Sequence, residues 1–399
     1  MVIKMANSKT SEKKNNHLKY YFNYLLVGVF FLIFFILDMT MGLRTSTTQL
    51  LTKIAYSIIL ATSLNMIVGF LGELSLGHAG FMCVGAYIGC FCANFLHTVI
   101  PSPLIVLIIA MMIGGLVAAL FGFLIGLPTL RLKGDYLAIA TLAFGEIVRT
   151  IFKNLSAFGG AQGLPTKRYD KSLYIIAFLI VFITLFVIQN LKRSKHGRAI
   201  EAIRDNEIAA RAMGINITYY KLIVFIIAAG FAGIAGVIYG HLVTPVANTF
   251  FSFNYSIEIL VMVVLGGMGS ITGSIIASTL LTFINVQLTT QLSGDMAALK
   301  YLIYALILIA MVLWNNAPAL SNVREKVSLH HLLAWFNGKF SSKKPEKDSQ
   351  TAVENAVYLK EEADWKKIPT KIPMDSILST DIKPDRTTEA DKPEKSSKQ

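Results

Sequence analysis

The sequence predicts an all-α integral membrane protein: a polytopic bundle of about ten transmembrane helices, some of them interrupted, with a disordered cytoplasmic tail. Hydrophobic residues make up 54% of the 399 residues. Charged residues make up 15%, against about 25% in soluble domains. Apolar runs of roughly 17 to 25 residues, the length that crosses the hydrocarbon layer, recur along the chain. A soluble core cannot absorb that much apolar sequence.

Each apolar run is a candidate spanning helix. The candidates are 20–37, 50–71, 79–97, 104–127, 135–151, 173–190, 221–243, 257–270, 272–289 and 298–314. The chain therefore divides into a basic cytoplasmic N-terminus (1–19), a transmembrane domain (20–320) and a charged tail (321–399). The tail lacks apolar periodicity, which is typical of a solvated, largely disordered segment.

Basic residues favour the cytoplasmic side of a membrane. An even number of helices places both termini on that side, together with the loop 192–220. One basic loop then lies outside: it contains Lys153, Lys167, Arg168 and Lys171. Either this loop is an exception or segment 135–151 is re-entrant.

The net charge of +13 does not indicate nucleic-acid binding, because the basic residues lie in short segments between apolar runs. Cys83, Cys90 and Cys92 share one apolar segment and show no zinc-type pairing with histidine. We expect no metal site and no bound cofactor.

Glycines occur four residues apart inside several apolar segments, and this spacing lets two helix backbones approach closely in lipid. The pairs are Gly85/Gly89, Gly122/Gly126 and Gly236/Gly240. We expect these positions to serve helix packing.

Two glycine-rich segments indicate breaks between helices. Residues 69–80 combine four glycines with Glu73, Ser75 and His78. Ionisable groups and interrupted helices at membrane depth often line a pathway, so these three are candidate pathway residues, with a structural turn as the alternative. Residues 266–273 are also rich in glycine but lack the Lys-Ser/Thr of a P-loop, which favours a helix–turn–helix connection.

No P-loop occurs anywhere in the chain, so the energy for any active transport would come from a partner. The loop from His196 to Asn216 predicts a cytoplasmic amphipathic helix with a modest apolar side of Ile200, Ile203, Ile208 and Ala212. Its mixed charge favours a protein partner over a lipid surface.

Four motifs together resemble the bacterial branched-chain amino-acid ABC transporter permeases, specifically the LivM-type subunit. They are Leu74 to Phe81, Arg131 to Arg149, Gly197 to Gly214 and Val264 to Ser270. The resemblance covers roughly residues 20–315. It implies a multi-pass permease in a bacterial cytoplasmic membrane, without an ATPase site of its own.

The resemblance also implies partners: a second, related permease, two cytoplasmic ATPase subunits that bind ATP, and an extracytoplasmic binding protein for leucine, isoleucine and valine. Such permeases dock their ATPase through a Glu-Ala-Ala-x-x-x-Gly pattern. Ala209, Ala210 and Gly214 match this pattern, whereas Ile208 occupies the glutamate position and Glu207 is displaced by one. Gly197, Arg198 and Glu201 are further candidate residues of this coupling loop.

Other functions remain open at this point. A urea or short-chain amide ABC permease shares these helix motifs. A secondary transporter or channel would work without ATPases, although the spanning segments show no relay of central carboxylates. A membrane enzyme would need clustered His, Asp or Cys, and the seven histidines are scattered.

Overall fold

A computed structural model of the chain describes residues 23–40, 42, 44–129, 132, 134–169, 172–291, 305–306 and 309. Within these residues the architecture is a helix bundle, with one isolated β-bridge between Leu164 and Val246. The helices are α1 (Asn23–Thr40), α2 (Thr45–Asn65), α3 (His78–Val99), α4 (Pro103–Thr129), α5 (Asp135–Asn154), α6 (Leu173–Arg193), α7 (Lys195–Asp205), α8 (Glu207–Ala212), α9 (Ile217–Leu242), α10 (Phe253–Gly266) and α11 (Ile271–Gln291). The predicted segment 298–314 and both predicted terminal regions lie almost wholly outside the described residues.

Seven of the described helices are long and apolar enough to cross a membrane: α1, α2 with its continuation, α3, α4, α6, α9 and α11. This confirms the all-α, multi-pass class, but not the predicted number of ten spanning helices. Helix α5 is long enough, at 20 residues, yet its four charged side chains lower its hydropathy. Helix α10 has only 14 residues, about 21 Å at 1.5 Å per residue.

Helix α2 is the centre of the bundle. Every residue from Ile54, in α2, to Leu71, at the end of its continuation, is buried. Its last turns, Met66–Leu71, are a π-helix that ends at Gly72, whose φ is +78°. A π-helical turn leaves the regular α-helical ladder and often marks a functional position. Here it precedes the non-helical segment 72–77.

Helices α3, α4 and α9 pack on one another through glycine. A Cβ at Gly85 would lie 2.2 Å from the carbonyl oxygen of Gly233, and one at Gly236 would lie 2.1 Å from that of Met82. On the other side of α9, a Cβ at Gly122 would lie 2.6 Å from that of Ala229. Any larger side chain would force these backbones apart.

Two more glycines of the predicted pairs lie at the contact between α3 and α9. A Cβ at Gly89 would meet the Val237 side chain at 2.4 Å, and one at Gly240 would meet Cys90 Sγ at 2.3 Å. Gly126 is buried in α4. Five of the six paired glycines therefore occupy close-contact positions in the bundle.

Two segments between long helices enter the bundle from opposite ends: 72–77, and 243–252, which contains the short 3₁₀-helix Asn248–Phe251. Segment 72–77 leads to His78, whose Nε2 lies 2.9 Å from Ser63 Oγ. Ser63 is eight residues before the end of the π-helix, so His78 lies about 12 Å inside the bundle from that end. Segment 243–252 leads to Phe253, whose amide donates to Glu146 Oε1 in the middle of α5 at 3.0 Å. The helices that follow these segments, α3 and α10, meet where the amide of Ala79 donates to Ser256 Oγ at 3.1 Å. The sequence predicts the first of these breaks, within residues 69–80, but not the second.

Helix α5 is continuous rather than re-entrant. The segment after it packs on the C-terminal end of α9, where Tyr169 donates its amide to His241 and Thr166 donates its hydroxyl to Gly240. The described part of this basic loop, 155–169, therefore lies at the end of the bundle opposite α7 and α8. We call the end that carries α7 and α8 the coupling end, and the opposite end the far end.

Candidate functional site

The coupling end begins with a sharp turn between α6 and α7. Ser194 caps α7, because its hydroxyl accepts hydrogen bonds from the amides of His196 and Gly197 at 3.1 and 3.2 Å. Gly197 is buried, and a Cβ there would lie 2.2 Å from the carbonyl oxygen of Lys192. Only glycine allows α7 to fold back this tightly against the end of α6.

The predicted single amphipathic helix is wrong in one respect: it divides into α7 and α8 at Asn206. Asn206 adopts an extended conformation (φ −158°), and its side chain accepts a hydrogen bond from the amide of Ala209. An asparagine followed by glutamate is a helix-start signal within the sequence itself. The break matters because it changes which way α8 faces.

The predicted apolar side is divided by this break. Ile200 and Ile203 are 2% and 4% exposed and pack into the bundle, whereas Ile208 is 80% exposed. Ala210 is the buried anchor of α8, and Met213 is 83% exposed beside it. Helix α8 thus presents apolar side chains away from the bundle.

The end of α8 depends on Gly214, whose φ is +80°. Its amide donates to the carbonyl of Arg211 at 3.0 Å, and the next amide, of Ile215, donates to Ala210 at 3.1 Å. This is the left-handed glycine cap that commonly ends helices. Ala209 lies exposed on the same short helix.

A buried lysine ties α8 to the interrupted segment after α2. Lys221 is 3% exposed, and its Nζ forms ion pairs with Glu73 and, at 3.4 Å, with Glu207. Glu207 also pairs with Arg211 at 3.0 Å. A buried ammonium requires such partners, because its desolvation costs several kcal/mol. Glu73, predicted as a pathway residue, is therefore engaged in a charge cluster.

Two further cations bind backbone carbonyls at the same place. Arg204 of α7 donates to the carbonyl of Gly69 in the π-helix at 3.1 Å. Lys192 at the end of α6 donates to the carbonyl of Gly269 at 3.0 Å, and its ammonium lies 4.4 Å from the centre of the Phe70 ring. Helices α6 and α7 are thus attached to both breaks in the bundle.

The turn between α10 and α11 completes the site. Gly267 and Gly269 have φ values of +87° and +84°, and Asn65 holds this turn by accepting from the amide of Gly269 and donating to the carbonyl of Ser270. A Cβ at Gly69 would lie 2.2 Å from the nitrogen of Gly269. The helix–turn–helix prediction for 266–273 is confirmed.

The other predicted site residues are placed as follows. Ser75 and His78 are fully buried, so neither faces an open channel in this conformation. Arg198 is exposed and donates to the carbonyl of Arg193 at 3.5 Å, and Glu201 is half-buried on α7. The pathway role of Glu73, Ser75 and His78 stays a prediction.

Sequence reasoning missed Lys221, Arg204, Lys192 and Asn65, which form most of the contacts at the coupling end. A lysine one turn into the apolar α9 was the available signal, since such a charge needs a partner. Within the part of the chain that the structure describes, no three His, Cys, Asp or Glu side chains are grouped to hold a metal ion.

Known proteins resemble this chain over most of the bundle. The family described as branched-chain amino acid transport system / permease component matches residues 46–312. The high-affinity branched-chain amino acid transport system permease protein LivM of Salmonella typhimurium is 36% identical over 310 residues, 68% of this chain and 69% of its own length. LivM of Escherichia coli (strain K12) is 35% identical, over 71% of this chain and 72% of its own.

A second type of relative is more distant. The high-affinity branched-chain amino acid transport system permease protein LivH of Salmonella typhimurium is 22% identical, over 66% of this chain and 89% of its own. No solved structure matches the chain.

Proposed function

Because the chain belongs to the branched-chain amino acid transport system permease family, we propose that it is the membrane-spanning permease subunit of an ATP-binding-cassette importer for leucine, isoleucine and valine. The names of the LivM relatives, at 35% and 36% identity, support this cargo. The similarity to LivH supports a second, related permease as partner. In this proposal the protein crosses the bacterial cytoplasmic membrane, with α7 and α8 on the cytoplasmic side.

The observation that supports docking of an ATPase subunit is the outward-facing apolar surface of α8. Ile208, in α8, and Met213, directly after it, are each at least 80% exposed. The other contacts of this helix are made by the buried Ala210 and by the ion pairs of Glu207. Large apolar side chains at the centre of a polar surface are typical of protein contacts. We assign this surface to a cytoplasmic ATPase subunit, which binds the ATP, so that the permease itself holds no cofactor.

Movement of the docked ATPase would pass into the bundle through three contacts. Arg204 connects α7 to the π-helix of α2, and Lys221 connects α8 to Glu73 in segment 72–77. Lys192, at the base of α7, connects to the turn between α10 and α11. These contacts reach the end of the π-helix, segment 72–77 and the turn between α10 and α11. The permease then alternates between two arrangements of its helices and needs no catalytic residue.

With this orientation we expect both the N-terminal segment and the loop 192–220 to lie in the cytoplasm. Lys153, Lys167 and Arg168 then lie outside, because α5 runs from the coupling end to the far end. They are an exception to the excess of basic residues on the cytoplasmic side. Accessibility of a cysteine placed at Lys167 to a membrane-impermeant reagent in intact cells tests this orientation.

We expect Gly214→Pro to reduce ATPase docking severely. Proline cannot adopt the φ of +80° at this position and has no amide to donate to Arg211; proline at an incompatible position costs about 3 kcal/mol. The measurement is the amount of ATPase subunit recovered with the affinity-tagged chain. Gly214→Asn is the matched control, since asparagine tolerates the left-handed conformation. Equal ATPase recovery with both variants would contradict the docking assignment.

Purification of the tagged chain from its native membrane tests the whole proposal. We expect mass spectrometry to identify two ATPase subunits and a second permease in stoichiometric amounts. We expect reconstituted vesicles to take up leucine only when ATP and the binding protein are supplied. Uptake of urea or short amides instead would reassign the cargo, and transport by the chain alone would indicate a secondary transporter.

A further inference from the structure

A cavity of about 720 Å³ lies between α2, α9, α10 and α11, and the charge cluster of the coupling end does not include it. Its volume falls within the range of about 300–1,000 Å³ that is usual for small-molecule sites. Its wall includes Lys53 in the first half of α2 and Tyr239 near the end of α9. The cavity is therefore in the half of the bundle nearer the far end, beside the entering segment 243–252.

The cavity wall carries one side chain of each charge. Lys53 and Glu258 both line it, and both are half-buried. Glu258 is held in place by Asn285, whose Nδ2 donates to Glu258 Oε1 at 2.7 Å. Each of the two also takes part in further interactions within the folded chain. Charged residues inside spanning segments are costly, and they mark ion or substrate sites.

Four aromatic side chains, Tyr56, Tyr239, Phe250 and Tyr255, also line the cavity. The Tyr239 and Phe250 rings stack with centroids 4.1 Å apart, and Phe250 and Tyr255 lie 4.4 Å apart. Tyr56 meets Tyr239 edge-on at 5.9 Å. These rings offer an apolar surface to a hydrocarbon side chain, whereas the tyrosine hydroxyls and Asn254 carry hydrogen-bonding groups.

We propose that this cavity is a binding site for a free zwitterionic amino acid on its way through the permease. Glu258 would bind the α-ammonium, Lys53 the α-carboxylate, and the aromatic wall an aliphatic side chain. A free amino acid has an ammonium group and a carboxylate group bonded to one carbon. A wall with one cationic and one anionic side chain therefore fits an amino acid better than it fits a sugar or a singly charged ion. The inference rests on the proposed function, because it assumes an amino acid as cargo.

The test is equilibrium binding of radiolabelled leucine to the purified transporter complex, from which the extracytoplasmic binding protein has been removed. We expect Glu258→Gln and Lys53→Gln each to weaken leucine binding at least about tenfold, since each removes one charge partner of the ligand. Glutamine can still accept the Asn285 hydrogen bond, so Glu258→Gln should fold. Size-exclusion chromatography of the purified complex checks this.

Matched controls are Asp135→Asn and Lys153→Gln, which make the same kinds of change at exposed positions at the two ends of α5. We expect leucine binding by these variants to equal that of the unmodified complex. We also expect 4-methylpentanoate, which lacks the ammonium, and 3-methylbutylamine, which lacks the carboxylate, to compete at least about tenfold less well than leucine.

Three outcomes would overturn the proposal. The first is unchanged leucine binding in both single variants. The second is recovery of leucine binding in the double variant Lys53→Gln/Glu258→Gln. That result would mean that the two charged side chains interact only with each other and not with the ligand. The third is the absence of saturable leucine binding to a complex that still transports leucine. Failure of the unmodified complex to transport any branched-chain amino acid would instead reject the proposed function.

Discussion

Replacing Gly236 with leucine is expected to prevent the bundle from assembling. Even the first atom of the new side chain would lie 2.1 Å from the carbonyl oxygen of Met82 and 2.9 Å from the amide nitrogen of Ala86. Both are backbone atoms of α3, which cannot rotate out of the way as a side chain can. Helix α9 has no room to retreat, because a Cβ at Gly233 would meet Ala118 of α4 at 2.4 Å.

The energetic cost is therefore at the upper end of the roughly 1–3 kcal/mol usual for overpacked cores, or above it. The measurement is the yield and thermal stability of the detergent-extracted chain in size-exclusion chromatography. Gly230→Ala on the same helix is the matched control, since its Cβ would have its nearest neighbours at 3.5 Å, ordinary contact distance. If the leucine variant elutes and melts like the control, the close packing of α3 and α9 is wrong.

Removal of the Glu73 carboxylate is expected to give the second large effect, because it leaves a buried charge without its principal partner. In Glu73→Ala the ammonium of Lys221, 3% exposed, retains only Glu207 at 3.4 Å among its ion pairs. Removing one partner of a buried ion pair lowers the free energy of unfolding by about 3–5 kcal/mol. We expect a lower melting temperature for the complex and less leucine transported per ATP hydrolysed.

The double variant Glu73→Gln/Lys221→Met separates stability from coupling. Replacing a buried ion pair by uncharged groups is often neutral for stability, so we expect the melting temperature to recover largely. Transport per ATP should stay low, because the attachment of α9 and α8 to segment 72–77 is lost. Full recovery of transport would show that the pair has only a structural role.

Arg211→Ala is the control for this pair of experiments. Arg211 pairs with Glu207 too, but its side chain is 68% exposed, and exposed ion pairs contribute about 0–1 kcal/mol. We expect its melting temperature and its transport per ATP to be close to those of the unmodified complex. A loss as large as that of Glu73→Ala would move the coupling role from the buried pair to the surface of α8.

Local patterns in the sequence predict the helices well. Segment 79–97 corresponds to α3 at His78–Val99, and segment 135–151 corresponds to α5 at Asp135–Asn154. Apolar runs and their polar boundaries are local properties, so the sequence contains them directly. The number of spanning helices is harder to predict, because α5 is long but charged and α10 begins inside the bundle.

The site depends on pairings that are distant in the chain. Glu73 meets Lys221 across 148 residues, and Arg204 meets the carbonyl of Gly69 across 135. No spacing rule connects such positions, so the sequence marked Glu73 as unusual without showing what it binds. The outward face of Ile208 was missed for a local reason: Asn206 ends one helix and begins another, and the two helices do not share one apolar side.

The glycine contacts among α3, α4 and α9 have a kinematic consequence. Backbones held at van der Waals distance on both sides of α9 cannot slide or tilt separately without collision, because packed interiors are not continuously deformable. We therefore expect these three helices to move together as one rigid body. Any change of access has to occur at its edges, in segments 72–77 and 243–252 and in the hairpin of α10 and α11. The number of independent moving parts in the bundle is thus small, and each of them touches a break in a helix.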